Sequence, residues 1–299
     1  EAGRTTEKFR VLRQLFIDRL GVTPPPAPPE PPVISLAPIT LDAHQPLLAT
    51  LPATPTRVSA KPLAMEQLDQ AYGFVLYRKK FPAGLKGTLE LKDARDYTVV
   101  MINGRTVGRA FVGLGLDSNK FALNETGRVT LDLLVHNLGR ISVITSPRSQ
   151  DRARKGLVGG ATLDGTELTE WENYSLPCAS IDDITPSAAP HTGPTFYRGT
   201  FNVEKVGGTF LDLRNWGFGT VWVNGHHLGR YWDRGGVRSL FVPAAWLHAG
   251  RNHLVVLELH DAPKVAEISG GTKIIEEPPV PFAVRLDRAN LSPVTSTPR

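Results

Sequence analysis

From residue 71 onward the apolar side chains come in short runs, many of them alternating with polar ones, and Gly, Pro, Asn or Asp breaks each run. Phe74-Val75-Leu76-Tyr77, Thr88-Leu89-Glu90-Leu91 and Tyr97-Thr98-Val99-Val100-Met101-Ile102 are of this kind, and the grammar resumes from residue 195 to about 286. Such runs, rich in β-branched and aromatic residues between turn formers, predict strands. No long helical period interrupts either block. The pattern therefore predicts a mainly β chain of antiparallel sandwiches or jelly rolls and argues against a parallel α/β sheet. Ahead of it, residues Thr5 to Leu20 place Phe9, Leu12, Phe16 and Leu20 on one stripe with threonine available as a cap, which predicts an amphipathic helix. A helix this short is marginal alone in water, so its stripe needs a partner. Between helix and strands, residues 24 to 55 hold eleven of the chain's 25 prolines, so this segment is expected to run extended over a surface. Within it, Val33 to Leu36 and Ile39 to Leu41 are candidates for short edge strands.

One motif occurs twice. Ile102-Asn103-Gly104, followed by Gly108-Arg109, is matched 121 residues later by Val223-Asn224-Gly225, followed by Gly229-Arg230. Asn-Gly supplies two residues that tolerate positive φ, as a tight turn between twisted antiparallel strands requires. Tyr77-Arg78 and Tyr197-Arg198 extend the correspondence upstream, and the apolar runs from Val129 and His253 extend it downstream. A period this long predicts a duplicated domain, not a solenoid. The expected organisation is a helix over 1–22, a Pro-rich linker over 23–62, a first β-sandwich over 63–176, a second jelly-roll sandwich over 177–287 and a tail over 288–299.

Composition narrows the class without naming a chemistry. At 299 residues, 41% hydrophobic and 21% charged, the chain has room for about two domains. No apolar run approaches the length of a membrane span, so no membrane partner is expected. The net charge of +5 is spread among acidic residues, and the run from Arg148 to Lys155 reads as a solvated loop, so no nucleic-acid partner is expected either. The single Cys178 permits no intrachain disulfide and leaves the compartment open. The chain opens at Glu1 without an initiating Met and is expected to be a piece of a longer polypeptide.

No catalytic motif emerges. Glu125 in Asn124-Glu125-Thr126-Gly127 and Glu170 in Thr169-Glu170-Trp171 are the carboxylates that a sugar hydrolase would invite, yet both lie in polar, turn-like surroundings. His226-His227 follows a tight turn, so the two rings are expected on opposite sheet faces, unable to share a metal. No metal and no cofactor is expected. Among the aromatics, Trp222 reads as core, whereas Trp216, Tyr231 and Trp232, with Arg230, are the candidates for a carbohydrate or interdomain contact. Asn103, Gly104, Asn224, Gly225 and Gly229 are read as structural turn residues.

Taken in order, Tyr72-Gly73-Phe74-Val75-Leu76-Tyr77-Arg78, Thr130 to Arg140, Lys155-Gly156-Leu157-Val158, Trp222-Val223-Asn224-Gly225 and Leu228-Gly229-Arg230-Tyr231-Trp232 resemble the C-terminal β domains of glycoside hydrolase family 35 β-galactosidases. The opening Glu1 to Phe9 resembles the segment entering the last helix of that family's catalytic TIM barrel. The resemblance implies retaining, exo-acting release of terminal β-linked galactose, with an acid/base Glu and a nucleophile Glu that both lie on the barrel and outside this chain. It implies the barrel as partner, with the β-galactoside substrate bound through the parent, and leaves room for a homo-oligomer. Where many members carry an aromatic after Gly139-Arg140, this chain has Ile141 to Thr145. The leading expectation is a non-catalytic support for the barrel. Two other readings stand beside it: an autonomous carbohydrate-binding module using Tyr231 and Trp232, and a hydrolase in its own right through Glu125 or Glu170.

Overall fold

The strand Tyr97–Ile102 is buried at all six positions, and so is Phe218–Val223. Residues alternate between the two faces of a strand, so burial on every side chain means that both faces of these sheets are covered. The computed structural model, which describes residues 2–111, 119–140, 142, 146, 151, 153–178, 181, 193–234, 238–261, 263 and 265–274, shows how. The chain is mainly β, with several antiparallel sheets arranged as two sandwiches. The basic run from Arg148, the stretch Ile141 to Thr145 and the tail fall wholly or mostly outside the described residues.

Four layers result. The first outer sheet has the order Thr166–Glu167, Ala161–Leu163, Leu85–Leu91, Lys120–Glu125. Beneath it, the first inner sheet runs Arg57–Ser59, Trp171–Leu176, Phe74–Phe81, Val129–His136, Tyr97–Ile102, Arg105–Phe111. The second inner sheet is His226–Trp232, Phe218–Val223, Gly250–Glu258, Thr195–Val203, Ala43–Pro46, and the second outer sheet is Leu36–Thr40, Glu267–Gly271, Thr209–Asp212, Ser239–Val242. Three apolar cores fill the gaps between them. Val75, Tyr77, Val100, Leu131 and Leu133 point outward to Leu85, Leu89 and Leu123. Their neighbours Phe74, Leu76, Val99, Met101 and Leu134 point inward to meet Phe196, Phe218, Trp222, Val255 and Leu257 of the second inner sheet. Val221, Val223, Leu254 and Val256 then face the second outer sheet. The central core therefore joins the two sandwiches.

The duplicated hairpins explain the register. Asn103 and Asn224 both have φ of 49°, with Gly104 at 82° and Gly225 at 80°, values that favour Asn and Gly and give the turn the twist of its strands. In both copies the turn asparagine also ties down the neighbouring long strand: Asn103 Oδ1 accepts from the Thr130 N–H and Asn224 Oδ1 from the His253 N–H, each at 2.8 Å. Register shifts fall at Val100/Met101 and at Val221/Trp222. Opposite the first shift stands Gly108, where an added Cβ would come within 2.4 Å of the Phe121 ring.

The proline-rich segment is stitched into the second sandwich before the first begins. Leu36–Thr40 and Ala43–Pro46 each occupy a sheet edge, the position where proline's missing N–H removes no ladder bond. Ile39 and Leu41 enter the core between the second inner and outer sheets and Leu47 enters the central one. Each fully buried aliphatic contributes on the order of 1.5–3 kcal/mol, which offsets the cost of ordering an extended strap. Elsewhere an ion pair closes the base of the first sandwich: Lys155 Nζ lies 2.7 Å from both Asp96 oxygens, and Asp96 Oδ2 accepts from the Leu138 N–H.

Candidate functional site

Where the two inner sheets meet, equivalent residues of the two copies touch each other. Tyr97 packs edge-on against Phe218, with ring centroids 4.6 Å apart, and Phe111 against Trp232 at 5.1 Å. Each pair is separated by the repeat distance of 121 residues. This is the signature of an isologous, two-fold contact, here made between two parts of one chain. The Tyr97 hydroxyl and His260 Nε2 share a hydrogen bond of 2.6 Å across the same interface.

To one side of this contact a cleft of about 560 Å³ opens between the sandwiches. The first sandwich supplies Gly73, Phe74, His136 and Asn137; the second supplies Thr220, Trp222, His227 and Arg230, with the exposed Tyr72 and with Cys178 also in its wall. Arg230 reaches the cleft because it follows Gly229 on the hairpin's return strand, and its Nη1 donates a long 3.4 Å bond to the Asn137 carbonyl. Burial holds its guanidinium below the usual range against the opposing charge of the Asp96 carboxylate, which lies beyond ion-pair distance and is itself paired with Lys155. His136 is buried and stacks on Phe74 with centroids 4.1 Å apart. Burial pushes its imidazole well below the ordinary range, with the charge of Arg230 adding to the effect, so the ring is neutral. Its Nδ1 and the Trp222 Nε1 are both buried without a hydrogen-bond partner. Burial also pushes the Cys178 thiol up to about 12, which leaves it unreactive as a nucleophile.

A second surface lies at the other end of the chain. Glu7–Leu20 forms a helix capped at both ends, by Thr6 Oγ1 accepting from the Phe9 N–H and by Gly21 in the left-handed region. None of its residues is buried, and Phe9, Leu12, Leu15, Phe16, Ile17 and Leu20 are 41–63% exposed. Solvent is a poor neighbour for such a stripe.

Residues 62–177 match the family described as "Beta-galactosidase, first all-beta domain", and residues 194–252 match "Beta-galactosidase, galactose-binding domain". Over 256 residues the chain is 37% identical to a β-galactosidase of Xanthomonas manihotis, covering 81% of this chain and 40% of that protein. The chain belongs to the β-galactosidase family. It represents the C-terminal β-domain region of a β-galactosidase. The β-galactosidase-1-like protein 3 of Mus musculus is 34% identical over 86% of the chain and 41% of its own length, and the human β-galactosidase 32% identical over 88% and 42%. The chain thus spans about two fifths of the length of these relatives. Among solved structures, a Pleurotus ostreatus lectin in complex with GalNAc aligns over 79% of both chains, but a TM-score of 0.19 at 14% identity is too low to inform fold or ligand.

Within this β-galactosidase segment the sequence candidates separate. Arg230 borders the cleft, and Trp232 packs in the interface between the sandwiches against Tyr97, Phe111 and Phe218. Trp216 and Tyr231 do neither. Both are 1% exposed inside the second sandwich, where Trp216 Nε1 donates to the Glu267 carbonyl and the Tyr231 hydroxyl to Glu258, so no sugar ring can stack on them. Gly229 has φ of 138° opposite Val221, beside the register shift. The two histidines diverge as their spacing requires: His226 stacks on Trp246 and His227 lies against Trp222. Glu125 pairs with Arg105 at 2.9 Å, and the Glu170 side chain is 86% exposed. Among the described residues no three His, Cys, Asp or Glu side chains gather as a metal site, and no helix is long and apolar enough to cross a membrane. Sequence reasoning missed His136 as a cleft residue and Glu258 altogether. The lone acid ending the run Leu254-Val255-Val256-Leu257 was the available signal for the second.

Proposed function

We propose that this chain is the non-catalytic C-terminal part of a β-galactosidase whose parent polypeptide carries out retaining, exo-acting hydrolysis of terminal β-galactosides on a catalytic barrel. The helix Glu7–Leu20 belongs with that barrel and buries its apolar stripe there, while the four stacked sheets support it. The observation that carries this reading is the helix itself. It is well capped yet has no buried residue, although its sequence offers seven large apolar side chains on 14 positions. On the order of 1.5–3 kcal/mol for each side chain buried against the barrel would more than offset the marginal stability of so short a helix. The family membership supplies a partner of the right kind, and Glu125 and Glu170 are occupied as ordinary surface carboxylates.

The test is an assay of the 299-residue chain on an aryl β-galactoside. No turnover above the uncatalysed rate is expected. Turnover that disappears in Glu170→Gln or in Glu125→Gln would place the chemistry in this chain and overturn the proposal.

A further inference from the structure

We propose that a pocket on the second sandwich binds a small organic carboxylate through Arg198. In the first sandwich Arg78 stands opposite Asp132 on one neighbouring strand and opposite Glu172 on the other. Asp132 grips it through two parallel bonds, Nε to Oδ1 at 2.7 Å and Nη2 to Oδ2 at 3.1 Å. Arg198 is the same position of the second copy, following Tyr197 as Arg78 follows Tyr77. There the two facing residues are Val255 and Ala43. Both positions that carry a carboxylate in the first copy thus carry a short apolar side chain in the second. Beside them opens a pocket of about 340 Å³, lined by Arg198, Val255, Asn224, His248 and His253, a volume within the range of roughly 300–1,000 Å³ typical of small-molecule sites. Arg198 is half-buried and makes no hydrogen bond or ion pair among the described residues, and no Asp or Glu stands among the described residues of the pocket wall. A cation partly withdrawn from water calls for an anion. The planar fork of a guanidinium is met best by the two oxygens of one carboxylate, as Asp132 meets Arg78 in the first copy. Asn224 does not satisfy it from within, because its side-chain oxygen accepts from the His253 N–H and its amide donates to the Trp246 carbonyl and to Asn252. The exposed His248 and the half-buried His253 bring imidazole rings to the same wall and no negative charge. The site stands independently of how the helix docks.

Titration of the full chain with sodium acetate, and separately with sodium chloride, at constant pH tests the assignment through the Nε–H resonance of Arg198. Acetate is expected to move that resonance saturably, whereas chloride is not. The backbone amides of Asn224 and Val255 report binding in variants without the arginine. Arg198→Gln is expected to weaken acetate binding about tenfold or more, the loss of a charge-assisted pair. Ala43→Glu restores a carboxylate where the first copy has Glu172, on an edge strand, and is expected to compete with acetate and weaken its binding about tenfold or more. Ala43→Gln, of the same size but uncharged, should leave binding unchanged. No saturable response, a chloride response equal to that of acetate, binding retained in Arg198→Gln, or the two Ala43 variants behaving alike would each overturn the proposal.

Discussion

Replacing Phe218 by alanine is expected to lower the free energy of unfolding by about 3–5 kcal/mol, the range for a large aromatic deleted from a packed core. Phe218 is 1% exposed and stands on the two-fold contact, where its ring meets those of Tyr97, Trp232, His136 and His260. Four aromatic neighbours held by two different sandwiches cannot collapse into the space without moving one sheet against the other, which places the cost toward the upper end. Chemical denaturation measures it, with Val58→Ala as the reference. Val58 is 65% exposed at a sheet edge, and its truncation should change stability by no more than about 0.5 kcal/mol. A Phe218→Ala penalty below about 1 kcal/mol would mean that the sandwiches are not packed through this core.

The second large effect is on pH dependence and rests on Glu258. Its carboxylate accepts from the N–H groups of Gly217, Phe218 and His260 and from the Tyr231 hydroxyl, at 2.8–3.1 Å. Burial outweighs these donors and pushes the carboxyl from 4.5 up to about 7. Between those two values the folded protein keeps a proton that the unfolded chain has released. Stability from this group is therefore fully present below about pH 4.5, falls as pH rises, and is gone above about 7. The loss amounts to about 3 kcal/mol, at about 1.4 kcal/mol for each tenfold change in proton affinity. In Glu258→Gln the side chain carries no titrating proton, so the difference between the two stability curves should open by that amount over the window. Parallel curves would show that Glu258 titrates normally.

The sequence disclosed the construction better than the contacts. Asn103-Gly104 and Asn224-Gly225 announce the duplicated hairpin because only a few residues tolerate the turn's backbone, so local chemistry and local structure coincide. The strap was legible only in part. Edge strands were expected over Val33 to Leu36 and Ile39 to Leu41, whereas the strands are Leu36–Thr40, which joins the ends of those two runs, and Ala43–Pro46, which no apolar run announces. Trp216 and Tyr231 show where this ends. Alternation along a strand tells which neighbours share a face, but in the inner sheets both faces are apolar, so nothing in the pattern distinguishes the side toward the other sandwich from the side toward the chain's own outer sheet. Trp232 faces the first and Tyr231 the second, although they are adjacent. The cleft is further removed still, since His136 and Arg230 lie 94 positions apart and only the two-fold stacking of the copies brings them to one wall.

Amide hydrogen exchange across Phe9 to Leu20, in this chain alone and in a polypeptide that also carries the catalytic barrel, tests the central claim most directly. In the isolated chain these amides should exchange almost as fast as in an unstructured peptide while Tyr97–Ile102 and Phe218–Val223 stay strongly protected, and the barrel should slow the helix by orders of magnitude. Strong protection of the helix in the isolated monomer would contradict the account, as would a helix that exchanges equally fast with the barrel present.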